Sequence, residues 1–311
     1  MKIGSLCTGY GGLDMAAEHC FDATMSWCAE VSAAPATVIA HRWAAPNIGD
    51  ITTVDWSQVE PVDIITAGYP CQPFSTASMH RRGTHDTRHL WPYVHQAIRH
   101  IRPRIVLLEN VSGHRSIGFG TVLGDLAADG NYEVRWVSVC ASDAGAPHER
   151  ERLFIAAVAV TPDATFAGLQ RRAAQGQWPI TAGAAGDPSQ EDGRLWELPA
   201  AAYRSVDGFD FAEFEPVIER WSEVVGREPT YPVLTGPGGA PVNSPRFVEW
   251  MMGLPAGWVT DVAGLSVTDM LQLLGNGVCP QQAALAITRL FTGDVEPSRL
   301  VSGLRRITAW R

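Results

Sequence analysis

Apolar residues along the chain fall into short runs separated by glycine turns and helical periods. Residues 2–6 form an apolar strand pattern that enters Gly9, Gly11 and Gly12, and Leu13 to about Cys20 then carries a helical spacing. Thr24–Cys28 reads as a second strand leading to Glu30, and Ala33–His41 as a helix whose Pro35 fits a first turn. Val62–Ala67 is a third strand, and a helix starts at Leu90 or Trp91 and runs to His100. Arg104–Leu108 is apolar without alternation, the pattern of a central parallel strand covered on both faces. Phe119–Ala128 predicts a helix, and Tyr132–Val139 and Leu153–Val160 predict two further strands. This succession predicts an open α/β fold with a mostly parallel sheet and ligand sites at the carboxyl ends of its strands.

Two stretches interrupt the pattern. Residues 68–89 are polar and rich in Gly, Ser, Thr, His and Arg, and a loop of that length in a compact domain is usually a lid or a binding element. At Thr161-Pro162 the character changes: residues 163–243 read as a smaller, irregular domain with short candidates at Val206–Phe214 and Val217–Val225. Pattern returns with a helix at Pro245–Met252, then Gly253-Leu254-Pro255 and Trp258, a helix at Val267–Leu274, a break at Gly275-Asn276-Gly277 and a helix at Pro280–Phe291. The expected organisation is a first domain over 1–162, a second over 163–243, a return to the first over 244–291, and a peripheral tail over 292–311.

Composition narrows the class. With 311 residues and 46% hydrophobic content, the chain can bury a substantial core, which argues against intrinsic disorder. No apolar run reaches bilayer length and the first residues lack a secretory pattern, so a soluble intracellular protein is expected. Cys7, Cys20, Cys28, Cys71, Cys140 and Cys279 have no paired close spacing, so neither a zinc site nor a disulfide framework is signalled, and no metal is expected. The net charge of −9 disfavours a nucleic-acid partner on average. Binding follows the local field, however, and basic clusters stand at His80-Arg81-Arg82, His85–His89, His148–Arg152 and Arg171-Arg172.

Three features carry chemistry. Gly9, Gly11 and Gly12 are compatible with a ligand cradle or with a packed strand-to-helix turn. Asp14 stands where the third glycine of a dinucleotide fingerprint would be, which counts against an oxidoreductase of that type. Glu30, at the end of the second strand, is placed to accept hydrogen bonds from ribose hydroxyls, and Asp50, in Gly49-Asp50-Ile51, could meet an adenine amine, though surface carboxylates are common. Cys71 follows Pro70 just beyond a buried strand; an inert buried thiol and a presented nucleophile are both compatible with this. Glu109 ends an apolar strand at the same sheet edge, where a carboxylate is costly unless bonded or used.

Pro70-Cys71-Gln72, Glu109-Asn110-Val111 and the glycine-rich start, in this order, closely resemble the DNA cytosine-5 methyltransferase family in its compact bacterial or phage form. Asp86-Thr87-Arg88 with Leu90-Trp91 resembles the end of the family's catalytic loop, and Pro147-His148-Glu149-Arg150-Glu151-Arg152 its arginine motif. Arg246, Met252-Gly253-Leu254-Pro255 and Trp258 resemble the segment that closes the target-recognition domain, and Gly275-Asn276-Gly277-Val278 the last cofactor-side motif. Three departures stand out: Leu6 where the family usually has phenylalanine, His148 for glutamine, and Ser78 for glycine.

The resemblance implies a Rossmann-like S-adenosylmethionine-dependent methyltransferase fold with a smaller target-recognition domain over 163–243. It implies transfer of a methyl group to carbon 5 of a flipped cytosine in double-stranded DNA, with S-adenosylhomocysteine as product. Cys71 would add to carbon 6, a protonated Glu109 would bond nitrogen 3, Arg150 would bind oxygen 2, Arg152 would support that contact, and Asn110 would orient the strand end. Leu6, Thr8, Gly9, Gly11, Gly12, Glu30, Asp50, Ile51, Pro70, Asn276 and Val278 would border the cofactor. Ser75, Arg81, Arg82 and Arg88 would face phosphates or the vacated base position. Arg171, Arg172, Arg194, Arg204 and Arg227 would face DNA from the middle region, whereas Trp178, Trp196 and Trp221 read as core. A cytoplasmic monomer acting on bacterial or phage DNA is expected, with any cognate restriction endonuclease on a separate chain. A transfer-RNA methyltransferase and an inactive DNA-binding protein on the same scaffold are the alternatives.

Overall fold

Six strands hydrogen-bond into one sheet in the order β2-β1-β3-β4-β6-β5 in the computed structural model, which describes residues 1–70, 90–130, 132–160, 210–236 and 240–292. They are β1 (Lys2–Leu6), β2 (Thr24–Ala29), β3 (Ile64–Ala67), β4 (Ile105–Val111), β5 (Tyr132–Cys140) and β6 (Glu151–Ala159). β1 is parallel to β2 and β3, and β3 to β4, whereas β6 runs antiparallel to both of its neighbours. The mostly parallel sheet expected from the sequence therefore contains one reversed strand. The connection between β5 and β6 is short, so the chain turns back beside the strand it has just left and has no helical crossover to restore its direction.

Helices cover both faces. They are α1 (Gly12–Phe21), α2 (Ala33–Arg42), α3 (Trp91–Ile101), α4 (Phe119–Gly130), α5 (Glu215–Val225), α6 (Pro245–Met251), α7 (Val267–Asn276) and α8 (Pro280–Thr292). The period-two alternation of the strands divides the core. Ile105 and Leu107 of β4 join Phe154, Ala156 and Val158 of β6 on the face covered by α1 and α8. Val106, Leu108, Leu153, Ile155 and Ala157 meet Trp91, Val94 and Ile98 of α3 on the other. That double burial explains why β4 is apolar at every step.

The helix expected to break at Gly275 continues through Asn276. Ser266 and Asp269 form a capping box that starts α7, and the backbone leaves helical geometry only at Gly277, where ψ is −178°. The Val217–Val225 candidate is helix α5, and its Ile218, Trp221, Val224 and Val225 pack into the core of the sheet domain, so Trp221 is a core residue. Val233–Thr235 (β7) and Pro241–Asn243 (β8) form a small antiparallel pair. No helix among the described residues is long and apolar enough to cross a membrane.

Candidate active site

The carboxyl ends of β1, β3 and β4 open onto one cleft of about 1090 Å³. After β1 the chain turns through Cys7 (φ 53°), Gly9 (φ 60°) and Gly11 (φ 83°) before entering α1. Gly11 cannot carry a side chain: a Cβ there would lie 2.2 Å from the Trp43 ring, in a left-handed backbone that already favours glycine. The turn is braced by Glu30, whose Oε2 accepts the Gly9 N–H at 3.0 Å and whose Oε1 accepts the Ser32 N–H at 2.9 Å. Asp50 Oδ1 accepts the Thr52 N–H at 2.9 Å, which fixes its carboxylate at the cleft wall.

Of the residues expected to border a cofactor, Gly9, Glu30, Asp50, Ile51, Pro70 and Asn276 line the large cleft. Leu6, Thr8, Gly12 and Val278 line a smaller chamber of about 40 Å³ beneath the turn, and Asn276 borders both. Gly11 borders neither, because Trp43 sits behind it. Leu6 is fully buried, packs with Trp27 and Ile65, and lines the small chamber, not the large cleft. Cys7 faces that cleft instead, because its left-handed backbone breaks the strand alternation. Its thiol is pushed up to about 12 by burial and by the charges of Glu30 and Asp50, so it stays protonated. Thr8 Oγ1 is buried without a hydrogen-bond partner. An orphan hydroxyl, open backbone at Gly9 and two carboxylates make a donor set that fits a cationic ligand bearing hydroxyl and amine groups.

The opposite wall is built by the reversed strand. Antiparallel pairing sets Val111 of β4 against Arg152 of β6, and Glu109 against Phe154, so the start of β6 meets the end of β4. Arg152 Nε lies 3.0 Å from Glu109 Oε1. Glu109 is only 8% exposed. Burial raises its pKa above the ordinary carboxyl value, while Arg152 and then Arg150 oppose the rise. Arg152, expected to support the oxygen contact or the adjoining backbone, meets Glu109 through Nε and donates from Nη1 to the Glu151 carbonyl at 2.7 Å. Arg150 Nη2 donates to the Gly277 carbonyl at 2.8 Å, and its Nε has no partner. Asn110 accepts the Val111 N–H at 2.9 Å and donates to the Tyr69 carbonyl at 3.3 Å, and so ties β4 to the segment after β3. Pro70, the last described residue before Cys71, lines the same cleft as Glu109 and Arg150.

His148 points away from this wall. Its Nε2 lies 3.1 Å from the Met251 carbonyl, and burial lowers its pKa, so a neutral ring donates to the returning segment. Sequence patterns gave no warning of Glu249. It is buried in α6 and accepts hydrogen bonds from the N–H groups of Gly257, Val259 and Thr260 at 2.8, 2.6 and 3.0 Å. The available signal was an acid among the large apolar residues Phe247, Val248, Trp250 and Met251. Gln282, also unforeseen, donates to the Val139 carbonyl at 2.8 Å and to that of Arg150, which ties α8 to the start of β6. Cys71, Ser75, Ser78, Arg81, Arg82, Arg88, Arg171, Arg172, Trp178, Arg194, Trp196 and Arg204 lie outside the described residues. Arg227 is described, and its Nη2 donates to the Leu254 carbonyl at 2.9 Å within the protein. Among the described residues no group of three His, Cys, Asp or Glu side chains could hold a metal ion.

A family model described as C-5 cytosine-specific DNA methylase matches residues 1–204. Type II methyltransferase M.NlaX of Neisseria lactamica is 32% identical over 160 residues, covering 50% of this chain and 51% of the relative. The chain thus spans about half the length of that curated relative. The solved structure of a DNA modification methyltransferase encoded within an E. coli prophage aligns with a TM-score of 0.57 at 18% identity, covering 93% of this chain and 99% of that one. The S. pombe Dnmt2 methyltransferase gives a TM-score of 0.58 at 15% identity, covering 93% and 98%. At these identities the structural likeness establishes the fold.

Proposed function

Since the chain belongs to the C-5 cytosine-specific DNA methylase family, we propose that it transfers a methyl group from S-adenosylmethionine to carbon 5 of a cytosine flipped out of double-stranded DNA, by way of a transient adduct on Cys71. One observation carries this reading. Glu109, Arg150 and Pro70, the residue before Cys71, share a cleft with the turn at Gly9 and the acids Glu30 and Asp50. A base and a methyl donor could therefore lie side by side.

S-adenosylmethionine supplies an electrophilic methyl group when bound. The residues to hold it are Gly9, Glu30, Asp50, Ile51 and Asn276, with acceptors for its hydroxyls and amines and negative charge for its cationic centre. At the other wall the chain solves a separate problem: cytosine carbon 5 is too weak a nucleophile by itself. The Cys71 thiolate bonds to carbon 6, and the displaced electron pair moves toward nitrogen 3, where Glu109 delivers its proton. Burial keeps that proton on Glu109 above the usual carboxyl range. Arg150 bonds oxygen 2, and Arg152 holds the Glu109 carboxyl in place. Once carbon 5 is methylated, water removes its proton, the carbon–sulfur bond breaks to regenerate the thiolate, and nitrogen 3 returns its proton to Glu109. Residues 1–162 and 244–291 act as the catalytic unit, and 163–243 reads the DNA sequence. The protein works as a monomer, and any paired restriction enzyme is a separate chain.

Expression in a host free of DNA methylation, followed by base-resolution cytosine mapping, tests this directly. Methylated cytosine at one recurrent sequence is the expected result. Unmodified DNA together with methylated transfer RNA in a matched assay would redirect the substrate, and neither product would end the proposal.

A further inference from the structure

Tyr10 has no part in the chemistry above, yet it joins the turn after β1 to the segments around Trp258 and Val278. Its ring is 1% exposed, and its hydroxyl donates to the Val278 carbonyl at 2.8 Å. Its own backbone carbonyl accepts Trp258 Nε1–H at 3.0 Å. The ring lies against Gly277, where an added Cβ would come within 1.8 Å of it. The next carbonyl back along the chain, that of Gly277, is the one that holds Arg150. Asn276, one residue earlier, borders both the large cleft and the small chamber, which Tyr10, Gly277 and Glu109 also line. Arg150, Glu109 and Arg152 all lie within electrostatic range of the Tyr10 hydroxyl.

We infer that Tyr10 is a positioning residue that couples the donor half of the cleft to the base half, holding the Gly277–Val278 peptide so that the Gly277 carbonyl fixes the Arg150 guanidinium. The inference rests on the proposed function for its meaning but not for its test. The physical path is short. Tyr10 stands between Gly9 and Gly11 in the donor turn, so a ligand that settles the turn also settles the tyrosine. The tyrosine fixes Val278 by its hydrogen bond and Gly277 by contact. Arg150 is sensitive to any shift there, because its Nε has no other partner. Favourable coupling between two sites works in both directions, so filling either half strengthens binding in the other.

The test follows the Arg150 side-chain nitrogen resonances in labelled full-length protein as S-adenosylhomocysteine is added, with the signal assigned by Arg150→Lys. In the wild type the Arg150 signal moves and sharpens on saturation. In Tyr10→Phe, which keeps the ring and loses only the hydroxyl, S-adenosylhomocysteine still binds within roughly tenfold of wild type, as expected for one lost hydrogen bond, but the Arg150 response disappears. An unchanged Arg150 response in Tyr10→Phe overturns the inference, as does a wild-type signal that ignores the ligand. A merely structural role would lower affinity and leave the response intact. If Tyr10→Phe does not fold, 3-fluorotyrosine at position 10 takes its place, and a fluorine signal that stays fixed on ligand addition overturns the inference. A wild type that shows the Arg150 response but methylates no nucleic acid removes the proposed function and leaves this coupling standing.

Discussion

Replacing Glu18 by glutamine will flatten the pH dependence of folding. Glu18 lies on α1 at 7% exposure, accepts the Met25 N–H at 2.9 Å, and accepts Trp43 Nε1–H at 3.2 Å. Trp43 is the ring that backs Gly11, so this carboxyl supports the turn beneath the cleft. Burial is the largest influence on Glu18, and it pushes the pKa from 4.5 to about 8. Between those values the folded chain keeps a proton that the unfolded chain has released, so stability falls by about 1.4 kcal/mol for each pH unit gained. The contribution is whole below pH 4.5, declines as pH rises, and is lost above about 8. From pH 5 to pH 8 the loss comes to about 4 kcal/mol. Glutamine keeps one oxygen acceptor and has no proton to lose. Urea unfolding at each pH, analysed by linear extrapolation, should show wild type and variant diverging by about that amount, with the variant the more stable at pH 8. Asp14, pushed up to about 6 by burial, adds a slope below that pH in both proteins, and its charge is one of the influences that raise Glu18. Parallel curves, with less than about 1 kcal/mol of divergence, would refute the assignment of Glu18 as a protonated core residue.

Further outcomes are expected at the cleft. Cys71→Ser will keep the fold and S-adenosylhomocysteine binding while losing at least about 100-fold in methyl transfer, and DNA carrying 5-fluorocytosine at the target will trap only the wild type on a denaturing gel. Glu109→Gln will lower the single-turnover rate by roughly 100-fold. The wild-type rate will fall as pH rises through the raised Glu109 pKa, because the proton it needs is present only below that value, and the variant will lack this limb. Gly277→Ala forces a methyl group to within 1.8 Å of the buried Tyr10 ring, so thermal unfolding will show a loss of about 1–3 kcal/mol, and calorimetry will show weaker S-adenosylhomocysteine binding.

The elements legible in the sequence were those whose burial writes a plain pattern. β4 is covered on both faces, so Ile105–Leu108 is apolar throughout and the Glu109 carboxyl at its end stands out against it. Helix α8 is apolar around much of its surface for the same reason, and its limits were close to those expected. What stayed hidden depended on backbone torsion or on long-range partners. The resemblance puts Leu6 beside the cofactor, whereas Leu6 lines the small chamber and the left-handed Cys7 after it lines the large cleft. Asn276 was read as a loop residue because glycines flank it, yet nothing at Gly275 requires a non-helical torsion and α7 runs on. Glu249 could not be understood before its amide partners eight to eleven residues later were known.

Strand direction decides the electrostatics of this site. β6 has nine residues, and a strand of that length spans roughly 30 Å. Had β6 run parallel to β4, its first residues would sit at the far edge of the sheet, and Arg150 and Arg152 would be most of that distance from Glu109. A carboxyl buried there alone would have its pKa raised by burial with no cation to oppose the rise. Reversed, β6 sets a guanidinium 3.0 Å from that carboxyl and a second one nearby. The two positive charges pull the pKa down against the burial that pushes it up, and burial prevails. Removing Arg152 should therefore push the Glu109 pKa higher still, and the pH limb of the reaction should move in the same direction. A shift to lower pH would mean that the Arg152 charge is not what opposes the rise at Glu109.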